Sequence, residues 1–135
     1  MTGDRSLVLG RDLTELARLT AWADGFIQNL GLSHEVAFRL QLCLEEAVSN
    51  IIAHGVAASD NPEIRVTLSA AEGSVIAAIE DQGQPFDPSE APMRPRPSSL
   101  DDAAIGGLGI LLMRHFVSEM SYERIGTRNR LVVKL

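Results

Sequence analysis

The chain has 135 residues, 45% hydrophobic and 22% charged, with 12 Lys+Arg against 18 Asp+Glu for a formal charge of −6. The acidic balance, the lack of a basic cluster and an aromatic content of only 4% exclude direct nucleic-acid binding through phosphate neutralisation or base stacking. A lone cysteine, Cys43, excludes an internal disulfide, no Cys/His spacing suggests zinc, and no apolar run has the length of a signal peptide or a membrane span. The expectation is one acidic cytoplasmic domain, residues 1–135, with no membrane partner.

In chain order, Ser6–Leu9 reads as a short edge strand. Asp12 stands before a segment with apolar residues at Leu13, Leu16, Leu19, Ala23, Phe26, Ile27 and Leu30, a helical spacing, with Glu15 in the capping-box position and Gly31 as the C-terminal cap. Ser33 caps a second helix that ends near Gly55, without a full capping box because Val36 stands three residues on. Strands over Glu63–Ala70 and Ser74–Glu80 are joined by a turn at Glu72-Gly73. From Asp81 to Gly107 the chain is rich in Gly, Pro, Ser and Asp, and a connection of that length is usually functional or mobile. A helix near Leu108–Val117 and strands near Ser118–Arg124 and Asn129–Leu135 close the chain. The fold class expected is α/β (α+β): a two-layer sandwich in which a mostly antiparallel mixed sheet is covered on one face by helices.

Three segments carry candidate chemistry. On the second helix Glu46, Asn50 and His54 recur every four residues and form one stripe, each about 40° round from the last. Leu40, Leu44, Ala47, Val48 and Ile51 form the core face, and Glu46 and Asn50 lie about 80–120° to one side, at its boundary; Glu45 projects to the other flank. These polar residues suit either an ordinary amphipathic helix or a cleft, and His54 suits a partner of the helix dipole equally well. For a cleft, an Asn carbonyl is a hard oxygen ligand that can complete a Mg²⁺ shell of phosphate and water oxygens, and a carboxylate one turn away can accept a hydroxyl proton.

The second segment, Asp81-Gln82-Gly83-Gln84-Pro85-Phe86-Asp87-Pro88, follows a strand directly. It is either a plain turn or a carboxylate held at a pocket, able to accept from an exocyclic amine such as adenine's. The third, Gly106-Gly107-Leu108-Gly109, opens a helix and exposes backbone N–H groups suited to an anion. A P-loop is absent, as are the His-Arg-Asp and Asp-Phe-Gly motifs of eukaryotic-type protein kinases.

In this order the motifs Glu46-x-x-x-Asn50-x-x-x-His54-Gly55, Asp81-x-Gly83-x-x-Phe86-Asp87, Gly107-x-Gly109 and Gly126-Thr127 resemble the ATPase superfamily of gyrase, histidine kinases and mismatch-repair ATPases (GHKL), whose fold is the Bergerat ATP-binding sandwich. The stretches LCLEEAVSNIIAHG and GGLGILLMR look most like the stand-alone anti-sigma factor serine/threonine kinases (RsbW-like). The resemblance spans about Leu7–Leu135.

It implies an ATP- and Mg²⁺-dependent serine/threonine protein kinase with Glu46 as general base and Asn50 as the Mg²⁺ ligand. Asp81 would read the adenine amine, Gly83 would allow close approach to the ring, and Phe86 and His54 would belong to the nucleotide site. Gly107, Leu108 and Gly109 would lie beside the phosphates, and Thr127 would support the adenine end. Residues 89–105 would form an ATP lid that orders with nucleotide, where Arg94 and Arg96 either approach phosphate or point to solvent.

The implied partners are an anti-anti-sigma factor (a STAS-type antagonist), which is phosphorylated, and a sigma factor, which is sequestered. A homodimer through the first strand and helix is also implied, although Leu7, Leu9, Leu16 and Trp22 suit the core as well. The alternatives are a partner-switching module that sequesters without transferring phosphate, and a kinase of the same fold in a non-sigma pathway. Ser33-His34-Glu35 imitates a phosphoacceptor site, but the following Val-Ala-Phe-Arg lacks the expected Pro, and His34 reads as a first-turn helix residue.

Overall fold

The computed structural model describes residues 4–54, 63–85 and 107–135. Along them run β1 (Arg5–Leu9), α1 (Glu15–Leu30), α2 (His34–His54), β2 (Ile64–Ala71), β3 (Ser74–Asp81), α3 (Gly107–Phe116), β4 (Glu119–Ile125) and β5 (Arg128–Lys134). The strands form one sheet in the order β1-β2-β3-β5-β4, and all four pairings among them are antiparallel. Every element anticipated in the described segments is present, with ends shifted by a residue or a few.

Period-two alternation aims one face of the sheet at the helices. Ile64, Val66 and Leu68 of β2, Val75, Ala77 and Ile79 of β3, and Leu131 and Val133 of β5 are buried there. Opposite them α1 supplies Leu19, Ala23, Phe26 and Ile27, and α2 supplies Leu40, Cys43, Leu44, Ala47 and Val48. Cys43 is wholly buried, and burial, with Glu46 nearby as the lesser cause, pushes its thiol up to about 11. Leu9 belongs to this core, with Leu7, Leu16 and Trp22 packed partly buried against it. The third helix lies along α2, where Phe116 meets Phe38 edge-on at 5.9 Å.

Local chemistry sets the helix ends. Ser33 caps α2 as expected, its Oγ accepting from Val36 N at 3.2 Å. Gly31 ends α1 in the left-handed region (φ 62°), with Gly31 N bonding Gln28 O and Leu32 N bonding Ile27 O, both at 3.2 Å. The hairpin between β2 and β3 turns on Glu72 (φ 53°) and Gly73 (φ 80°), both left-handed.

The capping box expected at Asp12 and Glu15 does not form. The Asp12 carboxylate instead accepts from Thr14 N (2.9 Å) and Thr14 Oγ1 (3.0 Å), and Glu15 reaches back to Gly10 N at 3.0 Å. A tight turn precedes the helix, with Glu15 N bonded to Asp12 O at 2.9 Å, and this local turn takes the Asp12 side chain before any helical N–H can.

Candidate functional site

Cross-strand partners share a face, so the register decides what lies beyond the apolar rows. One row runs Val66–Ile79–Leu131–Tyr122 across β2, β3, β5 and β4. The next runs Ile64–Asp81–Asn129–Arg124. The helix-facing side of the sheet therefore turns polar at the carboxyl end of β3. Asp81 and Asn129 are both buried there, at 5% and 6% exposure.

Buried polar groups need partners, and these have them. Oδ2 of Asp81 accepts from Gly83 N at 2.8 Å and from Asn129 Nδ2 at 3.3 Å. The same Nδ2 donates to Gln84 O (2.9 Å) and Gly83 O (3.4 Å). Oδ1 of Asn129 accepts from the Tyr122 hydroxyl and from Arg124 Nη1 at 3.1 Å, and that guanidinium nitrogen also donates to Gly83 O at 2.7 Å. The Asp81-x-Gly83 turn is thus tied to β4 and β5. The hydrogen bonds from Gly83 N and Asn129 Nδ2 both fall on Oδ2 of Asp81.

The second half of the site lies on α2, which packs against β3. Asn50 is 7% exposed, and its Nδ2 has no hydrogen-bond partner among the described residues. An orphaned buried amide costs about 1–3 kcal/mol, which makes it a place where a ligand is expected. Glu46, one turn earlier, is half-buried at the edge of the core face, while Glu45 is exposed. Burial raises the Glu46 carboxyl above its ordinary value, and the neighbouring Glu45 charge raises it further.

Of these groups, the carbonyl oxygen of Asn50 is the one whose chemistry fits a Mg²⁺ ion that arrives with phosphate. No group of three or more His, Cys, Asp or Glu capable of holding a metal exists among the described residues. A Mg²⁺ ion keeps several waters and takes substrate phosphates with one or two protein oxygens, so the Asn50 side-chain carbonyl is the atom that could serve it, while the unpartnered Nδ2, a donor, suits a phosphate oxygen.

Gly107, Leu108 and Gly109 form the first turn of α3, beside α2. His54 is the last residue of α2. The His54 side chain, the side chain of Leu108, Phe86 and the lid at 89–105 lie outside the described residues. Thr127 is exposed in the two-residue turn between β4 and β5, and Asn129, two residues on, carries the side-chain hydrogen bond to Asp81. Asn129, Tyr122 and Arg124 are the residues that sequence reasoning missed. A signal existed: Asn129, Leu131 and Val133 alternate inward, and a polar residue at a core-facing position asks for a buried partner.

Residues 10–135 match the histidine kinase-like ATPase domain. The chain belongs to that family. Within it the chain resembles the RsbW-type anti-sigma factor kinases. It is 39% identical over 101 residues to the serine/threonine-protein kinase BtrW of Bordetella bronchiseptica, covering 75% of this chain and 71% of that protein. It is 27% identical over 106 residues to the anti-sigma F factor of Clostridium novyi, covering 76% of this chain and 74% of that protein.

Among solved structures, the RsbU and RsbW domains of Rv1364c from Mycobacterium tuberculosis superpose with a TM-score of 0.72 at 18% identity. The match covers 98% of this chain and 32% of that one. The shared fold is the two-layer sandwich of the family, an antiparallel sheet with helices on one face. No helix among the described residues is long and apolar enough to cross a membrane.

Proposed function

We propose that this chain is an ATP- and Mg²⁺-dependent serine/threonine protein kinase that phosphorylates an anti-anti-sigma protein of the STAS type and, in another state, sequesters a sigma factor. The observation that carries the reading is the pairing on α2: a half-buried Glu46 with a raised pKa one turn from a buried Asn50 with an unpartnered amide. Asp81 ends the strand against which α2 packs, with the hydrogen bonds from Gly83 N and Asn129 Nδ2 both on Oδ2. The relatives add the chemistry in their names, one a serine/threonine-protein kinase and another an anti-sigma factor.

The reaction is the transfer of the γ-phosphoryl group of ATP to a Ser or Thr hydroxyl. The hydroxyl oxygen forms the new bond to phosphorus, the bond from phosphorus to the β,γ-bridging oxygen breaks, and ADP leaves. Glu46 takes the hydroxyl proton; its raised pKa brings it nearer to operating pH, where a general base is most effective. Asn50 would hold Mg²⁺, which neutralises charge on the phosphates when bound. Asp81 accepts from the adenine amine with Gly83 beneath the ring, and the first turn of α3, with Gly107, Leu108 and Gly109, offers N–H groups to phosphate. His54, Phe86, Thr127 and the lid over 89–105 complete the proposed site, and a homodimer through β1 and α1 belongs to the same proposal.

The test is transfer of labelled γ-phosphate from ATP to a serine of the antagonist that co-purifies with the protein. Mg²⁺-dependent labelling that disappears in Glu46→Gln is expected. Tight partner binding with no transfer would replace the kinase by a sequestering module, and transfer to an antagonist with no sigma factor in the complex would move the kinase to another pathway.

A further inference from the structure

The edge of β1 that faces away from β2 is met by the helix that follows it. The two-residue turn at Glu72-Gly73 makes Ala71 and Ser74 a hydrogen-bonded pair, so by alternation Arg65 spends both backbone groups on Glu80. Arg65 has none left for Val8, its partner in β1, and the N–H and C=O of Val8 point outward, as do those of Ser6. Leu7 and Leu9 take the bonds to β2, and the N–H of Gly10 points outward with Val8. Two of these outward groups are satisfied by side chains of α1. Arg18 Nη1 donates to Val8 O at 3.0 Å, and Glu15 Oε1 accepts from Gly10 N at 3.0 Å. Glu15 and Arg18 also pair with each other, Oε2 to Nη1, at 3.3 Å. The Gly10 N–H is the main reason that the Glu15 carboxyl lies below its ordinary value, and Arg18 is a lesser one.

We propose that the Glu15–Arg18 pair is an edge guard: it offers β1 the donor and acceptor that a sixth strand would offer, and so bars β1 of a second copy from pairing there. Exposed strand edges invite such pairing, and β1 has little else to prevent it. Its stretch Leu7-Val8-Leu9 carries no charge, whereas β4, the opposite edge strand, carries Glu119, Glu123 and Arg124. The excluded occupant is β1 of a second copy because a two-fold axis sets identical edges antiparallel, each supplying the donors and acceptors the other needs. The guard is independent of the kinase reading. It bears on the homodimer through β1 and α1, which is then held by side chains rather than by a continuous sheet.

Amide hydrogen exchange followed by NMR and sedimentation velocity test the guard on the full chain, over a series of concentrations and with thermal melts to confirm folding. In wild type the Gly10 amide is expected to exchange about tenfold slower than an open amide, the worth of one hydrogen bond to a charged group. The amides of Ser6 and Val8 stay fast at every concentration. Glu15→Ala removes the protection of Gly10. Glu15→Ala and Arg18→Ala each associate at least about tenfold more tightly than wild type, and Ser6 and Val8 become protected as they do so.

The charge-swapped variant, Glu15→Arg with Arg18→Glu, keeps an ion pair but sets a donor against Gly10 N and an acceptor against Val8 O. It is expected to behave like the alanine variants, and wild-type behaviour in it overturns the guard in favour of a plain ion pair. Adding Val8→Pro to Arg18→Ala deletes the outward N–H without touching the bonds to β2, and is expected to abolish the association. Association that survives the proline overturns strand pairing, as does an Arg18→Ala protein that associates no more tightly than wild type. If the variants do not fold, wild type carries the test. A Gly10 amide as fast as an open one, or Ser6 and Val8 amides that slow as concentration rises, overturns the proposal.

Discussion

Replacing Asn50 by leucine, a side chain of similar size, is expected to stabilise the nucleotide-free protein and to abolish its response to Mg²⁺-ATP. The wild-type amide is 7% exposed and its Nδ2 is unpartnered among the described residues, a penalty of about 1–3 kcal/mol that leucine removes. Leucine also continues the apolar surface of Ala47 and Val48 on the same helix. For a chain of 135 residues the unfolding entropy is about 0.28 kcal/mol/K, so each kcal/mol moves the melting midpoint by about 3–4 °C. The nucleotide-free midpoint should therefore rise by about 3–10 °C. Wild type at a hundred times Kd of Mg²⁺-ATP should gain about 2.7 kcal/mol, or about 10 °C, and Asn50→Leu should gain nothing. Thermal unfolding followed by circular dichroism, with and without nucleotide, reads both effects. A variant that melts below wild type without nucleotide would refute the orphaned amide. One that keeps the ATP shift would remove Asn50 from the site.

Two further expectations concern single residues. Because burial and Glu45 hold the Glu46 carboxyl above its ordinary value of 4.5, its contribution to stability is fully present below 4.5 and is lost as pH rises through the higher folded-state value. Glu46→Gln should flatten that part of the profile in urea unfolding and lower phosphotransfer by about 10²–10⁴-fold, and the acid limb of wild-type activity should lie above 4.5. An acid limb at or below 4.5 would count against Glu46 as the base. The two glycines of the α1 region should respond oppositely to alanine. A Cβ at Gly25, inside the helix, meets nothing within 4 Å, so Gly25→Ala should stabilise by about 0.5–1 kcal/mol. Gly31 has equal room but a φ of +62°, and Gly31→Ala should cost about 1–2 kcal/mol in the same urea measurement. Like-signed effects would show that helix propensity and cap geometry do not govern these sites.

Much of this protein is written locally. The apolar spacing of α1 and α2, the Ser33 cap and the Glu72-Gly73 turn depend on side chains within a few residues of one another, and sequence periodicity reports them directly. The line of Glu46 and Asn50 at the edge of the α2 core face follows from the helical repeat alone, and the order of the glycine-containing motifs sufficed to indicate the family. Asp12 failed as a cap because two local arrangements compete for one carboxylate, and their energies differ too little for a pattern to rank them.

The tertiary structure decided the rest. Asn129 meets Asp81 across 48 residues only because the closing strand inserts between β3 and β4, in a register that pairs those two positions. A strand's own alternation says which face a residue takes, but not which residue of another strand lies opposite it. The unsatisfied amide of Asn50 is likewise a property of the packed interior, since whether a buried group finds a partner depends on everything folded around it. Sequence thus determined which residues are available for chemistry, and long-range strand pairing determined which of them act on one another.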